Sequence, residues 1–235
     1  GTLTLTALSS NGTVDGQMTS RDNLSNAQAL AFVDGQAYVG DVGGRRSSVT
    51  IYQVTEPWPR TEILKAVPYA LTYPDGQHEA SAILVDANHR LHVVTSGTRP
   101  GIYQAPDKPA KDAASPLTRI ADVPAGVTDA TVLRDGRIVL RTVTKVLVLD
   151  GATRAPLGEV AVPLTERGQS LTQGLGDGQV ITAAGPAGEV SVLGIPGAPP
   201  TATAQPTRRA PVTETEPEAT RTFEQTGTTV ALVAA

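Results

Sequence analysis

The amino-acid sequence predicts an all-β protein, a β-propeller of four-stranded antiparallel blades. A short phrase recurs four times: a polar residue, an apolar run, a turn containing Asp, Asn or Gly, and a second β-branched run. The phrases begin at Gln28, Ser81, Asp129 and Ser170, so their starts lie 53, 48 and 41 residues apart. This period in a strand-rich chain is typical of propeller blades. No run of 11 or more residues has the apolar spacing of a helix.

Each phrase predicts the two inner strands of a blade, because Gly and Asp tolerate the positive φ that tight hairpin turns require. More strands follow each phrase, and the outermost ones are the most polar. We predict second strands at 37–40, 91–95, 138–142 and 180–183, third strands at 48–54, 101–104, 145–149 and 189–193, and fourth strands at 62–71, 117–123 and 157–162.

The N-terminal stretches 3–8 and 12–19 predict the third and fourth strands of one further, incomplete blade. Its inner strands either precede residue 1 or come from the C-terminal part of the chain, which would close the ring. The sequence favours five blades and leaves four as the alternative. Residue 1 is Gly and is followed directly by a strand-like run, with neither a start methionine nor a signal peptide, so we expect that upstream residues were processed, cut away or left out.

The composition of the 235 residues restricts the class of function. Hydrophobic residues make up 40% of the chain and charged residues 18%, which is enough apolar material for a core. The net charge of −4 argues against nucleic-acid binding, which needs a concentrated basic face. There is no cysteine, so disulfides and thiolate metal sites are excluded.

The propeller is predicted to occupy residues 1–196. Residues 197–227 are rich in Pro, Thr, Ala and Glu and predict an extended linker or stalk. Residues 228–235 are apolar and have two interpretations: the start of a transmembrane helix, or a strand that completes the incomplete blade. The stalk-like linker favours the membrane anchor.

Three stretches of the chain carry a family resemblance: Gly40-Asp-Val-Gly-Gly44, Ser48-Val-Thr-Ile-Tyr-Gln-Val-Thr-Glu-Pro57 and Leu71-Thr-Tyr-Pro-Asp-Gly-Gln-His-Glu-Ala80. They resemble exported β-propeller proteins of high-GC Gram-positive (actinobacterial) bacteria, of the WD40-like or phytase-like esterase type. The resemblance implies acidic residues at the starts of the inner strands, where they would line a central channel and form a cation site.

The chain departs from that pattern at most of the relevant positions. Gln28, Ser81 and Ser170 stand where the resemblance implies acidic residues, and the Gly-Asp turn continues into Arg45. Three carboxylates remain nearby, those of Asp41, Glu79 and Asp129. A hard cation needs six or more oxygen ligands, several of them carboxylates. We therefore expect neither a metal nor another cofactor.

The candidate catalytic groups each have a simpler interpretation. His78 with Glu79 could act as a base with its partner, or lie in a hydrogen-bonded loop. Ser81 and Ser170 could be nucleophiles only with a His and a carboxylate in reach. Asp41 and Asp129 could bind a ligand in the channel or cap turns. His89 and His92 are predicted on opposite faces of a hairpin, which disfavours a metal pair.

Three residues are candidates for a protein interface. Trp58 is the only Trp in the chain and is held extended between Pro57 and Pro59. Arg45 and Arg46 are predicted as loop charges that could contact a partner.

These observations predict a non-catalytic, extracytoplasmic scaffold, an accessory subunit that docks onto a larger membrane or cell-envelope complex. A respiratory or transport complex would fit. The partners would be membrane-complex subunits, with the membrane reached through a C-terminal anchor and no nucleic acid bound. The alternatives are an esterase-like or phosphate-ester hydrolase, or a small-ligand sensor, acting in the channel.

Overall fold

The protein is an all-β propeller in a computed structural model that describes residues 1–9, 13–55, 62–162, 170–174, 176–184, 189–197 and 229–231. Its strands form five sheets, which we number in chain order. Sheet 1 contains β1 (Thr2–Leu8), β2 (Val14–Asn23), β7 (Glu62–Leu64) and β21 (Thr229–Ala231). Sheet 2 contains β3 (Ala27–Val33), β4 (Gln36–Asp41), β6 (Ser48–Thr55), β8 (Val67–Thr72) and β12 (Ser115–Pro116).

The remaining sheets follow along the chain. Sheet 3 contains β5 (Arg45–Arg46), β9 (His78–Val85), β10 (Leu91–Thr95), β11 (Gly101–Gln104) and β13 (Thr118–Asp122). Sheet 4 contains β14 (Val127–Val132), β15 (Ile138–Thr142), β16 (Lys145–Leu149) and β17 (Pro156–Ala161). Sheet 5 contains β18 (Ser170–Gln173), β19 (Gln179–Ala184) and β20 (Glu189–Gly194).

Sheets 2 to 5 repeat the predicted blade order, in which each blade begins with an antiparallel hairpin and adds strands outward. The inner strands β3, β9, β14 and β18 adjoin one another in turn. This confirms the predicted all-β propeller of antiparallel blades. The hairpin turn of sheet 2 uses Asp34 and Gly35, both at positive φ, as the Asp-Gly signal predicts.

Sheet 1 is assembled from distant parts of the chain. Strand β21 lies antiparallel to β1, and β7 lies parallel to β2 at the outer edge. The predicted fourth strand at 62–71 is therefore two strands: β8 stays in sheet 2, and β7 covers the edge of β2, which would otherwise lack a partner. Of the apolar end at 228–235, residues 229–231 form β21, and the rest lie outside the described residues. So do Trp58 and residues 198–227 of the predicted linker.

Four apolar clusters fill the four interfaces between successive sheets. They consist mainly of Val, Leu, Ile and Ala, with a few Tyr side chains. Their burial supplies most of the stability, at about 25 cal/mol per Å² of apolar surface. Within the described ranges, no helix has the length and apolar character needed to cross a membrane.

Candidate functional site

The predicted site residues gather at one end of the sheets, the end at which β3, β9, β14 and β18 begin. We call it the entry end. Because β4 runs antiparallel to β3, its last residue, Asp41, lies at this end and pairs with Ala27. Strand β5 also lies here, with Arg45 paired to Glu79 and Arg46 paired to His78. The topology therefore brings residues that are far apart in sequence to one surface.

The inner strands of sheets 2, 3 and 4 share a β-bulge near the entry end. The extra residues are Gln28, Ser81 and Thr128, because pairing skips each of them. The repeated phrase in the sequence aligned Asp129 with Gln28 and Ser81. The strand register shows that Thr128, one residue earlier, is the equivalent of Gln28 and Ser81. The reason is that a bulge adds a residue without changing the apolar run that follows it, so the phrase alone does not fix the position.

The three neutral residues of the predicted channel lining differ in exposure. Gln28 and Ser170 are exposed. Ser81 is buried, and its hydroxyl donates a hydrogen bond to the Val127 carbonyl at 2.7 Å. Ser81 thus ties β9 to β14. That hydroxyl is used to hold two blades together.

Asp41 holds the turn between two sheets. Its carboxylate accepts hydrogen bonds from the backbone N–H of Asn26 at 2.6 Å and of Ser25 at 3.1 Å, and from Arg46 Nη2 at 3.1 Å. Burial alone would raise the pKa of Asp41, but these hydrogen bonds outweigh it and hold the pKa below its usual value. Asp41 is therefore ionised and fully engaged, as the turn-capping interpretation expects.

Arg46 differs from the solvated loop charge that the sequence predicts. Its guanidinium is half-buried, pairs with Asp41 and donates two hydrogen bonds to the Gly43 carbonyl. Arg45, by contrast, is exposed, as is its register partner Glu79. Arg45 and Glu79 are thus among the charged residues that face solvent at this end.

His78 belongs to a closed triangle of polar side chains. Its Nε2 lies 2.9 Å from Asp75 Oδ1 and 3.1 Å from the Tyr103 hydroxyl, which itself donates to Asp75 Oδ2 at 2.9 Å. Burial alone would raise the pKa of Asp75, but the hydrogen bonds from Tyr103 and His78 lower it. The buried ring of Tyr73 packs 4.8 Å from His78 and edge-on to Tyr103, centroid to centroid 5.1 Å.

Asp129 lies between sheets 4 and 5. Its carboxylate accepts hydrogen bonds from the backbone N–H of Ala130 at 2.8 Å and of Leu171, on β18, at 2.6 Å. Burial raises the pKa of Asp129 to about 7, against the opposing effects of both N–H groups and of the Arg141 charge. Its register partner is Arg141, whose side chain is fully buried.

No group of three or more His, Cys, Asp or Glu side chains that could hold a metal ion occurs among the described residues. His89 sits in a turn at positive φ, with Nδ1 2.9 Å from the Tyr38 hydroxyl, whereas His92 is buried in β10. Burial lowers the pKa of His92, which favours its neutral form.

Sequence reasoning missed four participants: Asp75, Tyr103, Thr128 and Arg141. One signal was available for Arg141, since a charged residue within the apolar run Ile138-Val-Leu-Arg-Thr142 is unusual for a central strand. The contact of Asp75 with Tyr103 joins a loop to a strand 28 residues further along the chain, which no local pattern reveals.

Comparison with known proteins supports the fold alone. A glutaminyl cyclase from Myxococcus xanthus is similar over 73% of this chain and 68% of its own, with 15% sequence identity and a TM-score of 0.50. BamB from Moraxella catarrhalis matches 81% of this chain and 54% of its own, at 16% identity and a TM-score of 0.40. The Dos1 propeller matches 77% and 48%, at 12% identity and a TM-score of 0.40. This chain thus spans about half the length of the last two. No protein-family model and no curated protein matches the chain.

Proposed function

We propose that this chain is a non-catalytic, extracytoplasmic propeller that docks, as an accessory subunit, onto a larger membrane or cell-envelope complex. A respiratory or transport complex is a suitable host, with the protein held at the membrane through its C-terminal part. The resemblance to exported actinobacterial propellers of the WD40-like or phytase-like esterase type motivates the location.

The observation that carries the proposal is that reactive side chains at the entry end are hydrogen-bonded internally, while other polar side chains there face solvent. The groups that could perform chemistry there are held in internal hydrogen bonds. Asp41 has three donors, Ser81 binds a backbone carbonyl of the next sheet, and His78 is enclosed by Asp75 and Tyr103. Hydrogen bonds of this kind stiffen the surface, which reduces the entropic cost of binding a partner.

The side chains exposed at the same end include those of Gln28, Arg45, Glu79 and Ser170. Arg45 and Glu79 carry opposite charges on paired strands. Such a mixture of charged and neutral polar groups is suited to the rim of a protein interface, where charges select the partner and set its orientation.

Affinity purification tests the proposal. The tagged protein is recovered from the membrane fraction with a mild detergent, beside an Arg45→Glu/Glu79→Arg variant and an Arg134→Glu control at the opposite end of the sheets. We expect the wild type and the control to retain the same partner proteins and the double reversal to lose them. A wild type that runs as a free monomer without membrane partners contradicts the proposal.

A second candidate, an ester or phosphate-ester hydrolase, is favoured by one observation. The pKa of Asp129, raised by burial to about 7, suits a general acid or base. Asp41, His78 and Glu79 would complete such a site. It requires metal-dependent turnover of p-nitrophenyl acetate or p-nitrophenyl phosphate that Asp129→Ala or Glu79→Ala abolishes. Docking predicts no turnover above the uncatalysed rate in the wild type.

A further inference from the structure

Arg141 has the largest fully buried side chain among the described residues. The three nitrogens of its guanidinium have no hydrogen-bond partner there. Three other arginines of the described residues have ion-pair or hydrogen-bond partners. Arg46 pairs with Asp41, Arg90 with Asp86, and Arg137 with Asp135 and the Pro196 carbonyl. A buried charge without hydrogen bonds is strongly unfavourable, so a group that satisfies Arg141 is needed.

The position of Arg141 between sheets 4 and 5 follows from strand alternation. Leu140 packs in the cluster between sheets 3 and 4, and Val139 packs in the cluster toward sheet 5. Side chains alternate along a strand, so Arg141 points to the same side as Val139. Its partner Asp129 is on that side too, because it accepts the Leu171 N–H of β18.

The electrostatic surroundings leave Arg141 with one charged neighbour. Strands β18 and β19, which cover this face, contain no charged residue. On β16, Val146 pairs with Arg141, while Lys145 is bound to Glu159 on the surface. Asp129 is therefore the only ionisable group facing Arg141 from the described strands, and two backbone N–H groups already occupy its oxygens.

Comparison with the other blades shows that the fold does not require this pair. The corresponding register pair is Ala29 with Gly40 in sheet 2 and Ala82 with Val94 in sheet 3. Those positions are small or apolar and fully packed. Of these three blades, only sheet 4 has charged residues at the equivalent place, which indicates a task specific to that blade.

We propose that the Arg141 guanidinium binds a small monocarboxylate anion between sheets 4 and 5, near the entry end. The planar fork of five N–H donors matches the two oxygens of a carboxylate. The nearby Asp129 carboxyl disfavours a dianion such as phosphate by repulsion when it is ionised. The site is independent of the docking surface formed by Gln28, Arg45, Glu79 and Ser170.

The test is a titration of the full chain with sodium formate and sodium acetate at constant ionic strength, followed by thermal unfolding and by the line width of ¹³C-formate. The wild type is compared with Arg141→Met, Arg141→Lys and an exposed control, Arg134→Met. Phosphate serves as the dianion. We expect saturable stabilisation of the wild type and the control, about a hundredfold in the folded-to-unfolded ratio at a hundred times Kd. Arg141→Lys should bind at least tenfold more weakly, and Arg141→Met should neither respond nor broaden the formate signal.

Three results would overturn the proposal. The first is an equal response of the wild type and Arg141→Met to the anions, which is a general salt effect. The second is tighter binding of phosphate than of formate. The third is an Arg141→Met variant that fails to fold together with an Arg141→Lys variant that keeps the formate affinity of the wild type, because the planar fork would then contribute nothing. Failure of the docking proposal would leave all these measurements unchanged.

Discussion

Asp129 and Arg141 are register partners on β14 and β15, yet Arg141 donates no hydrogen bond to the Asp129 carboxylate. Two backbone N–H groups bind that carboxylate, one of them from the next sheet. A half-buried carboxyl group and a fully buried guanidinium thus lie side by side, and the consequences are measurable.

The first prediction concerns stability and pH. Unfolded Asp129 loses its proton near its ordinary pKa of 3.8, and the folded carboxyl loses its proton at about 7. Between these values the folded state binds the extra proton, so stability falls as pH rises, and the loss is complete above about pH 7. The full effect is of order 4 kcal/mol.

The measurement is urea unfolding at pH 5 and pH 7.5 for the wild type and Asp129→Asn. The difference in unfolding free energy between them should change with pH. Relative to the wild type, Asp129→Asn should be more stable at pH 7.5 than at pH 5. The comparison cancels the opposite contribution of His92, whose lowered pKa adds stability as pH rises. A difference that is the same at both pH values would show that Asp129 titrates normally.

The second prediction concerns the Asp41 cap. Asp41→Asn should lower the unfolding free energy by about 1–3 kcal/mol, because an amide cannot accept all the donors that Ser25, Asn26 and Arg46 direct at it. Glu79→Gln, an exposed change at the same end, should stay within about 0.5 kcal/mol of the wild type. Urea unfolding with unchanged m-values measures both, and equal losses would contradict a capping role.

The third prediction concerns the triangle around His78. Tyr103→Phe removes a donor to Asp75 and a contact with His78, and should cost about 1–2 kcal/mol. A double-mutant cycle with Asp75→Asn should give a coupling energy of at least about 0.5 kcal/mol. The same cycle with Asp135→Asn, in another sheet, should be additive. Additivity in both cycles would mean that the triangle does not exist in solution.

The fourth prediction separates the two serines at the entry end. Ser81→Ala should cost about 1 kcal/mol, because it leaves the buried Val127 carbonyl without that donor. Ser170→Ala, at an exposed position, should be close to neutral. Denaturant unfolding of the two variants measures the difference, and a larger cost at Ser170 would be inconsistent with the observed burial.

Most of the fold could be predicted because local signals agree. The hairpin turns at Asp34-Gly35 and around Asp135-Gly136 join apolar runs of matching length, so these hairpins can be recognised from the sequence. The partner of β7 could not be predicted, since a three-residue strand has too few residues to specify which sheet it joins.

The site was predictable only as a location. The starts of the repeated phrases do fall at one end of the sheets, and Asp41 does cap a turn there. The bulge that places Thr128 at the position expected for Asp129 leaves no mark in the apolar pattern. Tyr103 meets Asp75, and Arg141 meets Asp129, across more than ten residues of sequence, so neither contact could be predicted from a local pattern.

The docking account is tested most directly by site-specific photocrosslinking in cells of the source organism. Benzoylphenylalanine is placed at Gln28 or Glu79, which are exposed at the entry end, and at Asn88 or Gln179, which are exposed at the opposite end. We predict one discrete adduct with a protein of the membrane fraction from Gln28 and Glu79, and none from Asn88 and Gln179. Folded protein that forms no adduct from Gln28 or Glu79, or the same adducts from all four positions, would contradict the account.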